Sequence, residues 1–179
     1  LNYKCIYSDE FKEVVSSLLL FYEATPLGGL FRKIGGQSNQ DAIGRFLNHI
    51  LEKGLPKTPF FAFVHHLSPH KPHSFTKTCG LAKVQKKGSE GGYSDSYYCA
   101  LLKIKKFMEV INILDPDAIV VFQADHGWAE NDEGRIDMTR GGKIFNAVKA
   151  PSSCFEKYGE PKTNVNSIRF VLNCAYGFE

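Results

Sequence analysis

At 179 residues, 43% hydrophobic and 23% charged, the chain has the length and make-up of one globular domain with its own core, which excludes wholesale disorder. A formal net charge of +3, dispersed along the sequence without a basic stripe or interleaved aromatics, argues against nucleic acid as a partner. No apolar stretch reaches the roughly 18 residues that a bilayer span requires; the best, Val14 to Tyr22, is much shorter.

The chain starts at Leu1 with neither an initiator Met nor a charged-then-apolar leader, so the expectation is an excised or incomplete piece. The first element expected is a helix capped by Ser8 or Asp9, with Phe11, Val14, Val15, Leu18, Leu19 and Tyr22 at helical spacing up to the break at Thr25-Pro26-Leu27-Gly28-Gly29. A second helix begins near Ser38 or Asn39, places Ile43, Phe46, Leu47, Ile50 and Leu51 on one face, leaves His49 solvated on the other, and stops at Gly54 and Pro56. Pro59 to Leu67, with Phe60-Phe61-Ala62-Phe63-Val64 at its heart, is too short for a free helix and does not alternate, which reads as a buried parallel strand. His70 to Tyr93 has no period and reads as a long surface loop.

Tyr97, Leu101, Ile104, Met108 and Ile111 form the next helical stripe, with Lys103, Lys105, Lys106 and Glu109 outside it and a stop at Asp115-Pro116-Asp117. A second buried strand follows from Ala118 to Ala124, then a loop, a further strand over Lys143 to Val148, and a last helix capped by Thr163 or Asn164 that ends before Gly177. Helix, short turn and buried strand make an α/β unit. No repeat and no linker interrupts the chain, so residues 1–179 read as a single domain or part of one. The five cysteines, Cys5, Cys79, Cys99, Cys154 and Cys174, are odd in number and contain no CxxC pair. They define neither a zinc knuckle nor a disulfide framework, and each reads as a small hydrophobe.

Chemistry concentrates at two strand ends. Asp125-His126-Gly127 follows the Ala118 strand and offers a hard carboxylate oxygen beside an imidazole nitrogen, a pair suited to a divalent ion. Turn chemistry alone also favours these residue types, so a plain turn is the competing reading. Four of the six histidines fall between His65 and His73, at the end of the Phe60 strand. If the two strands are parallel neighbours, His65 or His70 approaches Asp125 and His126, where a histidine can bind metal, steady an oxyanion or protonate a leaving group. The alternative keeps His65 as a hydrogen-bonded core group and His66 and His73 in solvent. His70 stands apart because Pro69 and Pro72 stiffen its backbone and lower the entropy cost of holding its side chain. Arg140 and Lys143, around Gly141-Gly142, are candidate substrate-binding cations, against the ordinary reading of solvated loop charges. Asp132, Glu133 and Asp137 are further oxygen donors, and Trp128 either lines a site mouth or packs. A phosphate-binding Gly-rich loop, a GxSxG elbow and an HExxH helix are all missing from the sequence.

Three blocks in order, Pro59 to Pro72, Ala118 to Gly127, and Asn164 to Asn173 with Tyr176-Gly177, resemble the sulfatase-like branch of the alkaline phosphatase superfamily. The likeness is greatest to bacterial membrane-bound sulfatase-like hydrolases and transferases related to lipoteichoic acid synthase, with a fainter echo in Thr25-Pro26-Leu27-Gly28. The resemblance implies the carboxyl-terminal portion of an alkaline-phosphatase-like α/β sandwich with a mostly parallel sheet flanked by helices. It implies metal-dependent hydrolysis or transfer of a phosphate or sulfate ester, small or carried on a lipid or glycan. Asp125 and His126 would be ligands of zinc, manganese or calcium, and His70 would touch the transferred group; His65, Arg140 and Lys143 stay substrate-binding candidates on the reading of the residues alone. The family's nucleophile and acidic ligands lie in an amino-terminal half that this sequence lacks, and Lys71 and His73 stand where relatives have Pro and an aromatic. Relatives carry membrane helices ahead of an extracytoplasmic catalytic domain, and the fragment alone is expected to be inactive. The rival class is a noncatalytic module that takes up metal on its histidines and a partner on its basic loop.

Overall fold

A computed structural model of the chain describes residues 4–5, 41–57, 59–82, 90–128 and 138–177. The helix expected from Ser8 to Tyr22, the Thr25 to Gly29 break, the Ser38 and Asn39 caps, and Asp132, Glu133 and Asp137 lie outside these residues. The chain forms two compact units, Leu1–Phe107 and Met108–Glu179. Among the described residues no helix is long and apolar enough to cross a membrane.

In the first unit, helix α1 (Ala42–Lys53) starts at Asp41, whose carboxylate accepts the Gly44 N–H at 3.1 Å and satisfies one of the orphan donors of the first turn. Asp41 also pairs with Lys103 at 2.6 Å, so one side chain both caps α1 and ties it to a neighbouring helix. The apolar spacing acts as expected: Ala42, Ile43, Leu47 and Ile50 are buried, and Phe46 stacks on Phe107 with centroids 5.8 Å apart. Leu51 is exposed, and His49 is half-buried rather than fully solvated. Gly54 ends the helix with its N–H on the Ile50 carbonyl at 2.8 Å, at φ 76° and ψ 176°. That backbone conformation is all but closed to a residue with a Cβ. Gly54→Ala is therefore expected to cost about 1–3 kcal/mol, read as a lower urea midpoint at unchanged m.

Strand β2 (Phe60–Phe61) pairs in parallel with β1 (Lys4–Cys5). The parallel sense agrees with the sequence, but the burial does not, since Phe61 is 60% and Phe63 80% exposed. An apolar run is buried only where layers cover both faces of its sheet, and hydropathy does not supply the covering layer.

Helix α2 (Glu90–Leu114) begins ahead of the Tyr97 stripe. Its buried positions in the first unit are Gly92, Ser96, Cys99, Ala100 and Phe107, while Tyr97, Leu101 and Ile104 sit on the half-buried flank. The packed face is rotated toward small residues because backbone, not side chain, lies against it: residues 67–82 run across this end of α2. Ser74 and Ala82, Phe75 and Leu81, and Thr76 and Gly80 pair as a short hairpin-like turn. Part of the expected surface loop is thus ordered, and Phe75 is buried under the Lys103 ammonium, 3.8 Å from its ring.

The second unit holds β3 (Val120–Gln123), α3 (Met138–Gly141), β4 (Asn146–Lys149), α4 (Ser152–Tyr158) and α5 (Asn164–Tyr176). β3 and β4 are antiparallel, in the register Val121↔Val148 and Phe122↔Ala147. This corrects two expectations. β3 is half-buried rather than fully buried, and its partner is the next strand in sequence. A parallel neighbour needs a crossover helix, whereas the described residues between β3 and β4 hold only the four-residue α3. Among the described residues β2 pairs with β1 and β3 with β4, so the expected parallel pairing of β2 with β3 is not found. The chain is a mixed helix and strand fold with a small antiparallel sheet.

Lys149 closes the start of β3 by donating to the Pro116 and Ala118 carbonyls at 2.6 and 2.9 Å. α5 is capped by Thr163, whose hydroxyl accepts the Asn166 N–H, and ends at the left-handed Gly177. Its inner face carries Phe170, stacked on Phe155 of α4 at 4.9 Å, and the fully buried Ser167, which shares two hydrogen bonds with Asn146 of β4. Burying the Phe170 ring contributes roughly 2 kcal/mol.

The cysteines are the largest departure from the sequence reading. Cys79 joins Cys99 and Cys154 joins Cys174, each pair 20 residues apart and each within one unit. Spacing without CxxC concealed them because helices α2 and α5 bring distant positions together, something pairwise motifs do not register.

Candidate functional site

Asp125-His126-Gly127 opens the turn after β3, with Ala124 still held to the sheet by its N–H on the Phe145 carbonyl at 2.9 Å. The Asp125 carboxylate accepts the His126 N–H at 2.9 Å through Oδ1, which leaves Oδ2 outward. His126 Nδ1 lies 2.8 Å from the Gly127 carbonyl, a contact that requires Nδ1 to carry the proton and makes Nε2 the lone-pair nitrogen. Metal-binding histidines are held in this way, with one ring N–H donated to a carbonyl and the other nitrogen free to ligate. Nε2 stands 3.7 Å from Asp125 Oδ2. Two ligands of a tetrahedral ion with bonds of about 2.1 Å lie about 3.4 Å apart, so the two atoms need only a small shift to share one ion. Both side chains are largely exposed, at 88% for Asp125 and 62% for His126. Their donor chemistry fits two positions of a divalent site. Among the described residues no third His, Cys, Asp or Glu joins them.

The backbone also brings the candidate cations to this turn. Gly127 N–H donates to the Gly141 carbonyl at 2.7 Å, which sets the end of α3, and with it the backbones of Arg140 and Lys143, beside the Asp125 turn. Lys143 is exposed, and the Arg140 side chain lies outside the described part of the molecule. Trp128 is half-buried at the end of the turn. One contributor was missed in the sequence: Asn164, read there as a cap, donates its side-chain amide to the Ala124 carbonyl at 3.4 Å and holds the last residue before Asp125. The signal was its place just inside the first turn of α5, where a cap is no longer needed.

The histidine run belongs to the first unit, and the structure divides it in a way opposite to the bland sequence alternative. His65, expected in the core, is exposed; His66 and His73, expected in solvent, are half-buried and buried. The reason is the shortness of β2, which ends at Phe61, so that strand alternation no longer governs His65. His66 Nδ1 accepts the Ile43 N–H at a long 3.5 Å, and its Nε2 is buried with no hydrogen-bond partner among the described residues. Burial, with Lys103 as the next contribution, pushes its pKa down to about 4. It is therefore a neutral imidazole at the start of α1. His73 donates through Nδ1 to the Pro69 carbonyl at 2.9 Å and meets Tyr93 edge-on. His70 is exposed, its Nδ1 on the Lys71 carbonyl at 2.8 Å, again leaving Nε2 as the lone-pair nitrogen.

The strand end thus presents a carboxylate and an oriented imidazole, with the backbones of Arg140 and Lys143 beside it. The chain belongs to the Sulfatase family, whose sequence profile it matches over residues 3–165. Members of that family act on sulfate esters and generally use divalent metal ions. No curated protein and no solved structure gives a significant match.

Proposed function

We propose that the chain is the carboxyl-terminal portion of the catalytic domain of a metal-dependent enzyme that hydrolyses or transfers a phosphate or sulfate ester. In this reading it is related to the membrane-bound, lipoteichoic acid synthase-like members of the family. The observation that carries the proposal is the pair Asp125 Oδ2 and His126 Nε2, 3.7 Å apart with the imidazole tautomer fixed by Gly127, in a chain of the Sulfatase family. That the whole chain is part of one domain is supported by a family match that runs through both units.

Asp125 and His126 would hold a zinc, manganese or calcium ion, which when bound supplies Lewis-acid stabilisation of the oxyanion. The chain's own residues do the rest. His70, its Nε2 available and its loop fixed at both ends, contacts the transferred group and exchanges a proton with it. Arg140 offers a planar fork, and Lys143 and His65 point donors, to the ester oxygens. Among the described residues only these two ligands come together, fewer than the three or more of known catalytic sites, and in this reading the chain alone is inactive. Two disulfides support an extracytoplasmic, oxidising compartment for the membrane-anchored parent. A noncatalytic module that gathers metal on the histidine run is disfavoured by the burial of the Nε2 atoms of His66 and His73.

Titration of the purified chain with zinc or manganese is expected to show weak uptake at one site. In Asp125→Ala with His126→Ala that affinity falls by more than about 100-fold, beyond the loss that removal of an outer-shell partner causes. Tight stoichiometric binding that survives the double substitution overturns the ligand assignment.

A further inference from the structure

Residues 67–82 carry His70 and His73 at one end and the Thr76 to Gly80 turn at the other, and they are fastened to α2 at several points. Ser96, with no exposed surface, is the centre of the attachment. Its hydroxyl donates to the Phe75 carbonyl at 3.3 Å and accepts the Phe75 N–H at 3.4 Å, satisfying both backbone groups of one buried residue. Its own carbonyl accepts the Ser68 hydroxyl at 3.3 Å, two residues before His70. One helical turn further on, Cys99, also fully buried, is bonded to Cys79. Cys79 is the one described non-glycine residue with positive φ, at 64°, a conformation such residues seldom adopt unless held. It is half-exposed, whereas its partner is sealed in the core.

We propose that the Cys79–Cys99 disulfide and the buried Ser96 hydroxyl form one clamp that positions His70, and that the thiol state of this cysteine pair therefore sets the geometry of the histidine loop. Ser96 and the disulfide are positioning groups. Neither touches the reacting atoms, and the use of His70 in ester chemistry rests on the function proposed above. The opening step is thiol–disulfide exchange. The thiolate of a small thiol such as glutathione attacks the sulfur of half-exposed Cys79, the less buried of the pair, the S–S bond breaks, and Cys99 leaves as a thiolate that takes up a proton. A second thiol molecule then attacks the mixed disulfide, leaving two protein thiols and one oxidised small-molecule disulfide. With the tether released, Cys79 relaxes out of its left-handed conformation and the Thr76 turn loosens. His70 then loses the backbone frame that holds its Nδ1–H on the Lys71 carbonyl.

The test is made on the full chain with ¹⁵N-labelled histidine, above the pH range in which imidazole is protonated, with the Cys154–Cys174 disulfide left intact. In the clamped protein the His70 ring nitrogens report a single Nδ1–H tautomer. In Cys79→Ala, and separately in Ser96→Ala with the disulfide intact, His70 is expected to shift to the mixed tautomers of a solvated imidazole. The Thr76 and Ala82 amides, hydrogen-bonded in the loop, should exchange at least about tenfold faster. His126 serves as the internal control and keeps its tautomer. Cys79 lies on a half-exposed turn, so its substitution leaves the core intact and remains informative if Ser96→Ala does not fold. An unchanged His70 tautomer in Cys79→Ala overturns the proposal, with or without faster amide exchange. Because no activity is read, a shifted tautomer supports the clamp even if His70→Ala in the longer enzyme leaves turnover unaltered and so refutes the role of His70 in catalysis.

Discussion

Replacing Cys154 and Cys174 together with alanine is expected to lower the unfolding free energy of the second unit by about 3 kcal/mol. That figure follows from the chain entropy that a loop of this length returns to the unfolded state when its tether is cut. The disulfide closes 20 residues, and these include the turn between α4 and α5 and most of α5. Among the described contacts, the Phe155–Phe170 stack still joins the two helices and the Ser167–Asn146 pair still ties α5 to β4, burying one ring and satisfying one polar network. These are worth only a few kcal/mol together, so the unit is left close to its folding threshold. Trp128 is the chain's one tryptophan and lies in this unit, so urea unfolding followed by its fluorescence reads the change directly. An additive reductant should bring the unaltered chain to the same midpoint and leave the double variant unmoved in this probe. Equal midpoints for both proteins under non-reducing conditions would show that the cysteines do not pair.

The same unit explains why the metal candidate was legible in sequence while its surroundings were not. Asp125 and His126 are adjacent in the chain, so their proximity is guaranteed by covalent geometry, and the strand that presents them is announced by Val120-Val121-Phe122. The hydrogen bond that fixes the imidazole runs to the very next carbonyl and is equally local. By contrast, the contact of Gly127 with Gly141, the amide of Asn164 on Ala124 and the Cys154–Cys174 bond span 14 to 40 residues, and no periodicity encodes them. Helix α4 was missed for a different reason. Seven residues make fewer than two full turns, too short for an apolar period to declare itself, and only Pro151 before it and Gly159 after it mark the ends.

In the first unit side-chain size misdirects the reading of α2. Sequence hydropathy weights large side chains, so the face of α2 was assigned to Tyr97, Leu101 and Ile104, whereas the tightest packing is on Ser96, Cys99 and Ala100. Small residues admit a neighbouring backbone, and here they admit the strand-like segment around Phe75. The histidine run misled as well. Four imidazoles close in sequence suggest one shared role, yet His66 and His73 are withdrawn from solvent on backbone partners while His65 and His70 are exposed, His70 with its Nδ1 on the Lys71 carbonyl. Only His65 and His70 remain candidates for chemistry with a ligand.

His66 has a consequence of its own for stability against pH. Its folded-state pKa is depressed from 6.5 to about 4, first by burial and then by the Lys103 ammonium, with Asp41 opposing and His65 and Arg45 adding smaller effects. A depressed histidine is neutral in the folded chain over a range in which the unfolded chain binds a proton. Above about pH 6.5 both states are neutral and the full stability is present; between about 6.5 and 4 only the unfolded state gains the proton. Stability therefore falls by about 1.4 kcal/mol per pH unit through that window, about 3 kcal/mol in all, and levels off below it. Protonation would also remove the Nδ1 lone pair that accepts the Ile43 N–H, so the start of α1 is where the cost is felt. His66→Gln retains an acceptor for that N–H but has no proton to gain. Far-UV circular dichroism of urea unfolding at a series of pH values should give the unaltered chain this slope, and the variant a profile flatter by the same amount. Parallel profiles for the two proteins between pH 6.5 and 4 would mean that His66 titrates as freely when folded as when unfolded, and that Ile43 is not its partner.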